Sequence, residues 1–332
     1  MSVFEALRAY VESRNVAVTS VNDIIRVARK LTKSNRSMRL VSLQPDERRV
    51  VALLWHLGLV ASLLKFEEGR ASLWVSPTLT LHRVARGELM PLAVRIARWT
   101  PMRLLLRYMM LRGGSATVGD VERDLGSEVL RVTRFLSPVL RLAYSRFRPA
   151  KKPYNRHVIE AVLFRLGSEL GLLRLDGRGR AEVMELAYEL AEEARTEVVK
   201  TMPSAPLVLA AVASVAACSR RVFISSPWID SDVAEALLPL LKDKEVVVIT
   251  RPPRAPRHRR AVEILGRVGE VRAYARLHTK LVLGDPAVVT SANLTRASLL
   301  RNLETGIYYR RAPAALRVHA QEIAASAAPL SL

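Results

Sequence analysis

The chain is short of cysteine, glutamine and negative charge. Cys218 is the one cysteine among 332 residues, so no disulfide framework can form within the chain, and this usage suits a reducing cytoplasm. Glutamine occurs only at Gln44 and Gln321, and scarce thermolabile amides fit the composition of a thermophile. Asp and Glu number 31 against 52 Lys and Arg, a formal net charge of +21 with a pI of about 11.0. That is an extreme balance for an enzyme of small neutral molecules. It favours a polyanionic partner, nucleic acid first and an anionic membrane surface second. Long apolar runs are missing too. The longest, Pro206 to Cys218, falls short of the ~20 residues of a spanning helix and reads as a buried helix. The start, Met1-Ser2-Val3-Phe4-Glu5, has neither the basic nor the apolar region of a signal peptide. No His/Cys/Asp cluster has metal-ligand spacing, so neither metal nor cofactor is expected.

What is present suffices for two or three domains, with 50% of residues hydrophobic. The first domain, 1–88, opens with helical patterns: Val3 to Ser13, a helix capped by Ser20 through Leu31, and another from Pro45-Asp46 with Val50, Leu53, Leu54 and Leu57 on one face. Leu59 to Phe66 and Ala71 to Val75 then read as a hairpin. Helices followed by a hairpin predict a winged helix. Lys30, Lys33, Arg36 and Arg39 would form its phosphate-contacting patch.

The second domain, 89–202, repeats the theme. One long helix is expected from Pro91 to Leu111. A short helix, Val118 to Leu125, then breaks at Gly126-Ser127 before a second from Glu128 to Ala143, in helix-turn-helix order. A helix from His157 to Leu170 leads to a wing around Asp176-Gly177, and Val183 to Met202 closes the unit. Arg148, Lys151 and Lys152 lie in a basic loop suited to phosphate.

From 203 to 332 helices and strands alternate, which predicts an α/β layer fold, a mixed sheet flanked by helices, behind mainly helical winged-helix-like domains. After the strand ending at Thr250, Arg251, Arg254 and Arg257 stand in a proline-rich cationic turn expected to line a substrate groove. Near the C-terminus the spacing becomes specific. His278 and Lys280 sit two apart on an expected strand, Leu277 to Leu283, so they share a face. Gly284-Asp285-Pro286 marks a turn. The next strand, Ala287 to Thr290, runs into Ser291-Ala292-Asn293, and Glu304 follows. A His, a Lys, a Ser and an Asn converging from adjacent strands suit a tetrahedral phosphodiester.

These residues resemble the HxKx4D signature of the phospholipase D superfamily and its later Ser-x-Asn; His278, Lys280 and Asp285 have that spacing, and Ser291, Asn293 and Glu304 match later positions. Val222 to Asp230 resembles the strand and turn that often open such a domain. Thr290 stands where the family carries Gly, and the segment from Asp285 to Ser291 is shorter than usual. The resemblance implies that His278 is a nucleophile forming a phosphohistidine. Lys280, Asn293 and Ser291 would hold the phosphate oxygens, and Glu304 would accept from the other ring nitrogen of His278. Asp285 reads as structural. The family uses a second motif histidine as general acid. No other histidine here has Lys two places on, so the resemblance implies a C2 homodimer with one composite site.

The expected activity is metal-independent cleavage of nucleic acid, DNA ahead of RNA, in the cytoplasm. Two alternatives remain open. One is a transcription regulator of the kind, known in archaea, that joins a winged helix to a sugar-binding phospholipase-D-like domain. The other is a phospholipase or phosphatidyltransferase.

Overall fold

Helix Val21–Lys33 forms where the spacing demands it, with Ile24, Val27, Ala28 and Leu31 buried along one face. Its start is locked reciprocally. Ser20 Oγ accepts from Asp23 N, and the Asp23 carboxylate accepts from the Ser20 amide and hydroxyl. Helix Pro45–His56 begins the same way, with Pro in its first turn and Glu47 accepting from Gln44 N at 2.9 Å. The chain is seen in a computed structural model that describes residues 1–13, 16, 19–33, 37–67, 70–144, 154–190, 196–202 and 205–330. It divides into two compact units. One comprises Arg8–Arg131 and Ala150–Glu193 with Met1; the other comprises Ser2–Leu7, Val132–Pro149 and Ala194–Leu332. Thus most of the two expected N-terminal domains falls into a single unit.

That first unit holds two three-stranded antiparallel sheets of one plan. Hairpin Val60–Glu67 and Arg70–Pro77 takes the short strand Met38–Arg39 onto its second strand. Hairpin Leu173–Leu175 and Arg180–Val183 takes Ser115–Thr117 likewise.

Several expected helices are corrected. The run from Pro91 to Leu111 is two helices, Met90–Arg98 and Thr100–Leu111, joined by an extended Trp99. Pro101 has no N–H for the carbonyl four residues back, and its ring crowds that carbonyl. Conversely, Gly126-Ser127 breaks nothing. The chain stays helical from Val118 to Phe135, with one widened, π-type turn over Glu122–Gly126, so the expected helix-turn-helix order is absent there. Gly126 serves close approach instead, since a Cβ on it would lie 2.9 Å from the Tyr154 carbonyl oxygen. The helix expected to reach Ala143 stops at Phe135 and restarts as Ser137–Ala143, with Pro138 in its first turn. Val183 to Met202 divides into a short helix, Glu185–Leu190, and a strand, Thr196–Met202.

That strand belongs to the second unit, so the sheet there begins ahead of the boundary expected at 203. In chain order the strands are β1 (Thr196–Met202), β2 (Ala205–Pro206), β3 (Arg221–Ser225), β4 (Glu245–Thr250), β5 (Glu270–Ala273), β6 (Leu281–Leu283), β7 (Ala287–Thr290), β8 (Glu304–Tyr309) and β9 (Ala328–Pro329). From residue 205 onward the helices are α1 (Leu207–Cys218), α2 (Ser231–Leu241), α3 (Pro256–Leu265), α4 (Arg296–Leu300) and α5 (Ala314–Ala325). The spatial order is β9-β5-β4-β3-β6-β7-β8-β1-β2. β3, β4 and β5 run parallel, and every other pairing is antiparallel.

Helix α1 is apolar all round and buried from Leu207 to Ala216, as a helix inside a core must be. It packs on β1, β6, β7 and β8. Helix α5 packs Ala320 against Leu281, Leu283 and Ala287, and Ile323 against Ile249 and Leu277. The mixed sheet is therefore covered by helices on two faces, an α/β layer architecture. Between α3 and β5, Gly269 lies against β4 so tightly that a Cβ would sit 2.3 Å from the Val246 carbonyl oxygen. Backbone cannot yield there as a side-chain tip can. Gly269→Ala is expected to cost about 1–3 kcal/mol, read as a lower urea midpoint with an unchanged slope. A midpoint equal to wild type would contradict the close approach.

Candidate active site

The parallel strands β3 and β4 end at Ser225 and Thr250, and the β6–β7 hairpin begins beside them. The extended segment that enters β6 carries His278 and Lys280. Regular strand pairing starts only at Leu281, later than the expected Leu277. The segment is nevertheless held on both sides: Ser225 Oγ donates to Thr279 O at 3.2 Å, and Thr290 N donates to Lys280 O at 3.1 Å. His278 and Lys280 do lie together. Lys280 Nζ is 3.5 Å from His278 Nδ1 and donates to His278 O at 3.0 Å. The imidazole is exposed and Lys280 is half-buried. Burial holds the Lys280 ammonium below an ordinary lysine's pKa; the Glu304 carboxylate opposes that shift and the Arg251 guanidinium adds to it.

Ser291 and Glu304 also meet. Ser291 Oγ donates to Glu304 Oε2 and accepts from Thr305 N at 3.1 Å. Glu304 takes a further bond from Asn302 Nδ2 at 3.4 Å. Its expected hydrogen bond to the His278 ring is not made: Glu304 accepts from Ser291 and Asn302, and the ring nitrogen of His278 faces Lys280. Thr290, in the place of the family's glycine, is used by the turn itself. Its hydroxyl donates to Thr305 O at 3.0 Å and accepts from Ala292 N at 3.1 Å.

Asn293 is half-buried, and its Oδ1 is buried without a partner among the described residues. The backbone around it is clipped to the loop after β3. Leu294 N donates to Ser226 Oγ at 3.0 Å, Asp230 N to Leu294 O at 3.0 Å, and Arg296 N to Asp230 Oδ2 at 2.8 Å. An amide oxygen can only accept, so a phosphate oxygen would have to be met by the Nδ2–H of Asn293. Asp285 stands at the opposite end of the hairpin. Its N–H donates to Ser219 Oγ, and its carboxylate accepts from Ala312 N, the structural use expected for it.

Of the cationic turn after β4, Arg251 enters this neighbourhood. Its Nε donates to Leu277 O at 2.8 Å, one residue before His278. Arg254 is exposed. The turn is shorter than expected, because α3 starts at Pro256 and takes Arg257 onto its first turn. Arg257 lines a cavity of about 480 Å³ with Trp228, Ile229, Asp230, Ala255, Pro256 and His258. Neither Trp228 nor His258 was among the expected site residues. A Trp in a chain with 5% aromatics, just after the strand that opens the domain, was the available signal for the first. No sequence signal marks His258, which is buried with Nε2 2.8 Å from Thr250 Oγ1.

In the first unit, the expected phosphate patch is partly consumed. Lys30 Nζ contacts both carboxylate oxygens of the buried Glu47, at 2.9 and 2.7 Å, so its charge is already matched. Arg39 lies 5.4 Å from the Trp74 ring centroid, and Lys33 is exposed. Arg36, Arg148, Lys151 and Lys152 lie outside the described residues. Among the described residues no helix is long and apolar enough to cross a membrane.

No family model matches this chain, and no curated protein does. Among solved structures it is similar to Nuc from Salmonella typhimurium, a phospholipase D family member, at 17% identity and a TM-score of 0.36, over 41% of this chain and 99% of that one. NucT from Helicobacter pylori is similar at 15% identity and a TM-score of 0.36, again over 41% and 99%. TrmBL2, an archaeal chromatin protein with a novel mode of DNA binding, is similar at 10% identity and a TM-score of 0.32, over 92% of this chain and 94% of that one.

Proposed function

We propose that the chain is a phosphodiesterase of nucleic acid, DNA first, that uses His278 as nucleophile and works as a C2 homodimer. The observation that carries this reading is the exposed His278 imidazole beside the Lys280 ammonium, 3.5 Å from nitrogen to nitrogen. Ser291 and Glu304 stand joined on the neighbouring strands. In this reading His278 Nε2 attacks phosphorus, and the leaving oxygen departs with a proton from His278 of a second copy. Water, deprotonated by that same second imidazole, then breaks the phosphorus–nitrogen bond. Attack through Nε2 needs the proton on Nδ1, so substrate phosphate must draw Lys280 away from Nδ1. A half-buried cation attracted by Glu304 and repelled by Arg251 is suited to that exchange. Asn293 donates a further hydrogen bond to the phosphate from Nδ2. Covalent catalysis of this kind contains no step that calls for a metal.

The charge of +21 supports a polyanionic substrate whose binding weakens as salt rises. Purified protein is expected to cut labelled DNA in EDTA at low salt. Light scattering is expected to give twice the 37.0 kDa chain mass. Failure to cut DNA or RNA of any form under salt low enough for binding defeats the reading. An active monomer defeats the composite site alone.

A further inference from the structure

Trp228 has a setting the chemistry above does not use. The residue is 40% exposed although the loop that carries it is fixed. Ser226 Oγ donates to Trp228 O at 2.8 Å, and the next residue, Ile229, is buried and bridges to Leu294. The His258 ring lies beside it, at 5.7 Å between centroids and tilted by 58°. Thr250 Oγ1 lies 3.3 Å from Pro227 O and 2.8 Å from His258 Nε2, and the hydrogen bond to the ring holds the imidazole in one orientation. The Arg251 guanidinium lies 5.7 Å from the indole centroid. The same guanidinium is bonded to Leu277 O, beside His278, and its charge acts on Lys280. One side chain therefore links the indole to the reactive pair. The indole also borders, together with His258, the cavity of about 480 Å³ that Arg257 lines, a volume within the range of small-ligand sites.

We propose that Trp228, flanked by His258 and Arg251, is a stacking platform for an unpaired nucleobase next to the phosphate held at His278, so that the substrate is single-stranded nucleic acid. The inference rests on the phosphodiesterase reading for the position of that phosphate. An exposed indole with a guanidinium at its face offers stacking and cation–π attraction to any base. A base inside a duplex already has both faces covered and cannot lie on the ring without leaving its stack. A choline headgroup, the other ligand an indole attracts, would meet the positive charges of Arg251 and Arg257.

The test measures binding by fluorescence anisotropy to full-length protein carrying His278→Ala, so that nothing is cut. Three oligonucleotides of equal length and label are compared at one salt concentration: ordinary single strand, fully abasic single strand, and duplex. The single strand is expected to bind about ten-fold more tightly than the abasic strand. Adding Trp228→Ala is expected to remove that ratio, and Trp228→Tyr to keep most of it. Trp228→Leu, which leaves an apolar side chain without a π face, replaces the alanine variant if that one does not fold. An unchanged ratio in the Ala or Leu variant overturns the platform. So does a parent that binds abasic or duplex DNA as well as single strand. Displacement of the oligonucleotide by phosphatidylcholine vesicles, lost in Trp228→Leu, would also overturn it in favour of a lipid headgroup. A wild-type protein that shows the base ratio but cuts nothing refutes the enzymatic reading and leaves the platform standing.

Discussion

His278→Ala is expected to lower DNA cleavage by at least about 10³-fold, the loss typical when a nucleophile is removed. Its fold should be intact, because the imidazole is exposed and its side-chain contact is with Lys280; surface changes of this kind usually stay within about 0.5 kcal/mol. Unfolding curves that coincide with wild type would establish that the loss is chemical. The composite site makes a second, sharper demand. If each site needs one imidazole from each copy, a mixed dimer of wild type and His278→Ala is dead. After equal mixing and subunit exchange, random pairing leaves only wild-type dimers active, about a quarter of all dimers. If each copy works alone, about half of the activity remains. Residual cutting by His278→Ala near wild-type rates would remove the nucleophile altogether.

Lys280→Met is expected to cost about 10²–10³-fold in kcat, the scale of losing one preorganised charge at a developing oxyanion. The pH dependence gives the assignment a sign. Burial holds Lys280 below the ordinary lysine value, with Glu304 acting against the shift and Arg251 with it. A lysine whose charge assists catalysis does so below its pKa and ceases to as pH rises through it. The alkaline limb of kcat should therefore fall earlier than for an ordinary lysine. Glu304→Gln removes the opposing carboxylate and should move that limb to lower pH; Arg251→Gln removes a neighbouring cation and should move it to higher pH. Shifts of the same sign in the two variants would show that the limb belongs to another group. Lys280→Met should lose the limb together with the rate.

Much of the second unit was legible residue by residue. Helix α1, the end of strand β4 and the whole of strand β7 stand within a residue or so of where apolar runs and alternation put them. Both hairpins of the first unit were legible for the same reason. The failures share a cause. Pro101 and Pro138 divide helices that the apolar pattern alone would continue, because a missing N–H outweighs a favourable face. Gly126 looked like a breaker, but its role is to let Tyr154 approach, a contact invisible in local sequence. Thr196–Met202 falls in the segment expected only to close the second domain. Its pairing with β8, from Glu304↔Thr201 to Tyr309↔Thr196, depends on a strand about a hundred residues away.

The candidate site divides along the same line. Two-residue spacing sufficed to place His278 beside Lys280, because backbone geometry settles which near neighbours share a face. Composition sufficed for the net charge of +21. Only the tertiary structure decided that Glu304 bonds Ser291 and not His278, that Glu47 has already claimed Lys30, and that Arg251 joins Trp228 to the reactive pair. Those outcomes turn on which distant strands and loops the sheet order brings together, and a local pattern carries no information about partners that topology supplies.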